Sequence, residues 1–121
     1  MKVELPPPLS VIQIEGIYLE YDEPLLYLAS NEYRDRFLVN LVSEDDGGQV
    51  WYFVRVSPQR IEAIRSGAID LKDAYLLAEG AIVWSLHFDQ TEGRELKVVP
   101  LAAYHLDEDL LPMAGERAKI P

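Results

Sequence analysis

The chain has 121 residues, 49% apolar and 26% charged. That length fits one domain, and that apolar share supplies a core, which excludes a wholly disordered chain. Eleven basic residues against 21 acidic ones give a formal net charge of -10. This balance opposes binding to a phosphate backbone or an anionic membrane surface and favours a basic protein partner.

In chain order, residues 1–8 read as an extended arm with polyproline character at Pro6-Pro7-Pro8. Ser10 to Tyr21 alternates in the period of a strand, with Gly16 marking a bulge or bend. Asp22-Glu23-Pro24 signals a turn, and Leu25 to Ala29 is a short buried strand. Arg36 to Ser43 alternates again. Glu44-Asp45-Asp46-Gly47-Gly48 is a hairpin connection, and Val50 to Val56 returns as an antiparallel partner.

Ser57 caps a helix that starts at Pro58 and ends near Ser66, with Gly67 as its left-handed stop. Asp70 is placed to cap a second helix, about 71–78, with Ile69 as a staple before it. Ala81 to Asp89 is a strand. Gln90-Thr91-Glu92-Gly93 turns, and Arg94 to Pro100 pairs back. Tyr104 to Leu111 fits a short helix or an extended run. The pattern argues for α+β: an antiparallel sheet of about five strands, with the two short helices inserted between the third or fourth strand and a C-terminal hairpin. Residues 9–111 form the single domain, and 112–121 a tail or linker.

Several chemistries are absent from the residues. With no cysteine, disulfides, thiolate nucleophiles and Cys-held metals are excluded. The first residues contain no signal-peptide core, and no segment reaches the ~20 apolar residues of a membrane span. No phosphate-cradling glycine motif occurs. His105, Asp107 and Asp109 alternate, but a tail of solvated acids explains them better than a metal site. Ser85, His87 and Asp89 share one strand face without a nucleophile elbow. These observations assign no catalytic residue, no metal ligand and no cofactor.

The remaining candidates are surfaces. Trp51, Tyr52, Phe53 and Arg55 are of the types that dominate interface hot spots. Alternation puts Trp51, Phe53 and Arg55 on one sheet face and Tyr52, Val54 and Val56 on the other. Both faces are apolar, and the helices cover one. The second is then covered by a partner or a second copy of the chain, or else by the sheet folding on itself or by the arm. Asp22, Glu23, Glu44, Asp45 and Asp46 form an acidic candidate surface if they converge.

The segments Y-D-E-P-L-L-Y (21–27), W-Y-F-V-R-V-S (51–57) and R-I-E-A-I-R-S-G-A-I-D-L-K-D-A-Y (60–75) resemble a small prokaryotic domain family of unknown function. L-P-M-A-G (111–115) looks like such a family's C-terminal edge. The resemblance implies a fold and no activity. The expected function is an acidic, cytoplasmic, non-catalytic protein-interaction or binding module, with self-association among its options. The alternatives are an acidic inhibitor or immunity-type protein that blocks a basic site, and a small enzyme using carboxylates or His87.

Overall fold

The structure is a computed structural model that describes residues 2–5, 9–21, 23–45, 47–69, 71–89 and 96–106. Its strands are β1 (Lys2–Glu4), β2 (Val11–Tyr21), β3 (Glu23–Asn31), β4 (Arg36–Asp45), β5 (Gly48–Arg55), β6 (Ile82–Asp89) and β7 (Leu96–Ala102). They lie side by side in sequence order in one seven-stranded sheet. Each is antiparallel to its neighbours. The helices α1 (Pro58–Ser66) and α2 (Leu71–Leu76) sit in the connection between β5 and β6. The fold is α+β, and β6–β7 is the C-terminal hairpin.

The sheet has seven strands against the expected five or so. All but β1 fall on segments whose pattern reads as a strand, and the three residues of β1 are too few to show a period. The bulge expected at Gly16 is present, since the β2–β3 register shifts between Ile14 and Gly16. The second helix ends at Leu76, short of Ala78. The chain there turns extended at Ala78 and enters a 3₁₀ turn, Glu79–Ala81, with Gly80 at φ 78°. Asp70, the 90–95 connection and the 112–121 tail lie outside the described residues.

One face of the sheet carries Leu26, Leu28, Leu38, Tyr52, Val54 and Val83, and it packs under the helical layer. From that layer come Ile61 and Ile64 of α1, and Leu71, Ala74 and Tyr75 of α2. Tyr75 is fully buried, and its hydroxyl donates to the carbonyl of Leu38 at 3.2 Å, tying α2 to a central strand. The other face gathers Ile12, Tyr27, Ala29, Phe37, Val39, Phe53 and Leu86 with Leu9 of the preceding segment.

That second cluster requires curvature. In a flat sheet β2 and β6 would be about 19 Å apart, at about 4.8 Å per strand. Ile12 of β2 and Leu86 of β6 nevertheless line one cavity of about 280 Å³. The sheet therefore curls about this face. Further register shifts in β2 and between Leu41 and Ser43 of β4 supply bends of the kind bulges produce.

The helical insert starts from a polar knot. The Ser57 Oγ accepts from the Arg60 backbone N–H at 3.1 Å, capping α1, and donates to Glu79 Oε1 at 2.8 Å. The Ser57 backbone N–H reaches the same Oε1 at 3.0 Å. Arg60 Nε lies 3.5 Å from that oxygen, and its Nη2 donates to the Leu77 carbonyl at 2.9 Å. Burial acts to raise the Glu79 carboxyl, but the Ser57 hydrogen bonds and the Arg60 charge outweigh it and hold the group below its ordinary value. At the other end Gly67 adopts φ 79° and donates to the Ile64 carbonyl.

Ser57→Ala should cost about 1 kcal/mol in urea unfolding, the usual worth of an N-cap. A lowered folded value stabilises at pH above the unfolded carboxyl value, and the gain is lost as pH falls through the folded one. The stability gap between wild type and Glu79→Gln should therefore be full at neutral pH and close on acidification. A gap that stays constant down to the lowest pH tested would contradict the assignment.

Candidate functional site

The curled face does not close completely. It leaves a cavity of about 280 Å³. Tyr27 of β3, Trp51 and Phe53 of β5, and Leu86 and Phe88 of β6 form its floor and walls. Leu5, Ile12 and Leu96 close on it from the two ends of the sheet, and Gln49 stands beside Trp51. Strand alternation explains the set. Gln49, Trp51 and Phe53 point to one side of β5, and their register partners Phe88, Leu86 and Trp84 share that side. Tyr27 reaches the same row through Val39, which pairs with both Tyr27 and Phe53.

The rings are in edge-on contact. Tyr27 and Trp51 have centroids 5.9 Å apart at 61°, and Phe37 and Phe53 6.1 Å apart at 72°. Such T-shaped pairs set a positive ring edge against a negative face. The Trp51 Nε1–H donates to Gln49 Oε1 at 3.0 Å, while Gln49 Nε2 donates to Glu44. Tyr27 is 9% exposed, and its hydroxyl makes no hydrogen bond to another described residue. Among the described residues the one fully enclosed side-chain nitrogen or oxygen without a partner is Arg60 Nη1. The Tyr27 hydroxyl is thus unpaired yet not sealed off. Burial pushes its pKa up to about 12, so the phenol stays neutral and able to donate.

Of the aromatic set expected to form an interface, Trp51 is half-buried in the cavity wall and Arg55 is exposed, paired with Asp35 at 3.5 Å. Phe53 is 1% exposed and Tyr52 6%. Tyr52 lies under the helical layer, and Phe53 lies inside the curl, where it lines the cavity. The sheet's own curl, with Leu9 buried in it and Leu5 packed against it, covers part of the second face.

The acidic set is partly placed. Glu44 is exposed. The register pairs Tyr21 with Glu23, Asp45 with Gly48, and Gly48 with Asp89, so these strand ends share one end of the sheet. Asp22 and Asp46 lie outside the described residues.

The other chemical candidates do not assemble. Ser85 Oγ and His87 Nε2 are 2.9 Å apart, but Ser85 is 2% exposed. A buried hydroxyl that no substrate can reach is a satisfied core group, and this one faces the helix side in register with Tyr52. His105 belongs to a 3₁₀ turn, Ala103–His105, not to a strand, and Asp107 and Asp109 lie outside the described residues. Among the described residues no cluster of three His, Cys, Asp or Glu side chains could hold a metal. Among the described residues that line the cavity none is a carboxylate or a histidine. No helix among the described residues is long and apolar enough to cross a membrane.

The sequence pattern of DUF6575, a family of unknown function, matches residues 7–117. The chain belongs to that family. Its match runs from the segment before β2 through β7 and takes in the helical insert, with β1 and Leu5 lying before it. No curated protein and no solved structure matches this DUF6575 chain.

Raised phenols are measurable. Burial, and then the nearby Tyr27 phenol, push Tyr75 well above the ordinary value as well. In an alkaline titration followed by phenolate absorbance, Tyr27→Phe should remove a component that ionises near pH 12. Loss of a component that titrates near the ordinary pH of about 10 instead would show an exposed Tyr27.

Proposed function

We propose that this protein is a binding module without catalytic activity, and that its binding site is the cavity on the concave face of the sheet. The supporting observation is the aromatic cavity itself. It is open enough to admit a guest, lined almost wholly by apolar side chains, and furnished with few polar groups. Ligand sites share that make-up. Among the described residues its lining lacks the converging acids or bases that proton transfer would need. The guest is held by burial of apolar area, and a protein partner would insert an apolar side chain in the same place.

A second reading, an acidic inhibitor or immunity-type protein, draws on the strand ends bearing Glu23, Glu44 and Asp45 at one end of the sheet. Its partner would be basic, and the complex would weaken steeply with salt. A cytoplasmic setting is compatible with the cysteine-free sequence. Self-association, where it occurs, would use the cavity mouth, the part of the apolar face that remains open.

The neutral fluorophore N-phenyl-1-naphthylamine should brighten on binding wild type. Leu96→Trp, which fills the mouth from β7, should abolish the increase while leaving the circular dichroism spectrum unchanged. Equal brightening by wild type and the filled variant would place the guest elsewhere, and no brightening by wild type would overturn the reading.

A further inference from the structure

We infer that the guest of the concave-face cavity is a neutral aromatic molecule with one hydrogen-bond acceptor, an aryl carbonyl compound whose oxygen accepts from the Tyr27 hydroxyl. The inference rests on the cavity being a binding site and names the chemistry of its ligand.

Size sets the first limit. At about 280 Å³ the cavity lies just below the range of drug-sized ligand sites. A cavity of about 150 Å³ in another protein holds benzene, so a ring with a short substituent fits here.

Lining sets the second. Tyr27, Trp51, Phe53 and Phe88 line the space, and Tyr27 and Trp51 meet each other edge-on. A flat aromatic guest can meet them edge to face or offset, as they meet one another.

The polar inventory sets the third. The Trp51 N–H is spent on Gln49, and the Gln49 amide is engaged by Trp51 and Glu44. Tyr27 is more than nine-tenths buried, lines the cavity, and has no acceptor among the described residues. An unsatisfied donor in such a place is costly to leave and favourable to pair. It calls for a guest with an acceptor.

Charge sets the fourth. Among the described residues no lining side chain is basic, and the chain carries a net charge of -10, so an anionic guest is disfavoured. A cation would be desolvated with no carboxylate in the described lining to receive it. A neutral guest remains.

The test compares acetophenone with α-methylstyrene, which carries a methylene where the ketone has its oxygen. Binding is read by NMR from the indole N–H signals of the two tryptophans. Acetophenone should bind wild type about three- to tenfold more tightly, the worth of one net hydrogen bond. In Tyr27→Phe that preference should vanish, with the affinity for α-methylstyrene unchanged. If neither compound binds, the cavity is no binding site and the proposed function falls with this inference. If both bind wild type equally, or the preference survives in Tyr27→Phe, the binding site stands and the role of Tyr27 is overturned. Benzoate binding as tightly as acetophenone would overturn the neutrality of the guest. The wild-type comparison alone decides the acceptor should Tyr27→Phe fail to fold.

Discussion

One sheet with two apolar faces and a single helical layer must hide its second face some other way, and the rest of this structure follows from that requirement. Helices inserted in one connection can cover only the side carrying Tyr52 and Val54. The side carrying Phe53 and Val39 is buried by the sheet bending round it, with Leu9 and Ile12 arriving from one end and Leu86 from the other. Each of these large side chains gains roughly 1.5–3 kcal/mol when fully buried, which is the drive for the bend. Twist and bulges make the bend attainable. A curl driven by side chains of fixed size leaves a remainder where they fail to meet, and that remainder is the cavity.

The helical insert solves a separate problem, the exit from β5 and the return to β6. Nine residues of α1 and six of α2 are too few to be stable alone. Their ends are therefore held by specific contacts. Ser57 and Glu79 join the start of α1 to the turn after α2, so that the insert closes on itself before it meets the sheet. Arg60 spans the same junction, with one guanidinium nitrogen enclosed and unpaired. Tyr75 then fixes the insert to β4.

Much of this architecture was legible in the residues. Alternation separated Trp51, Phe53 and Arg55 from Tyr52, Val54 and Val56, and Ser57, Pro58 and Gly67 bounded α1 at the residues observed. Local chemistry governs such features, and local chemistry is written in adjacent residues. The choice of face was not legible, since both were equally apolar and only the helices' approach decides it. Nor was the cavity, because it joins side chains from Leu5 to Leu96 whose meeting depends on the curl. The unmet hydroxyl of Tyr27 was hidden for the same reason, because it is a property of the surroundings.

The order of the strands has a consequence at the margins. A sheet that bends without joining its first strand to its last keeps two free borders, and free borders invite strand addition from other chains. Here β1 is three residues long. β7 carries exposed Lys97 and, at Pro100, a residue with no backbone donor. Both borders are poor templates for an extended peptide. The protein is in this way guarded against fibril-like stacking of copies, although its open sheet is rich in β-branched and aromatic side chains.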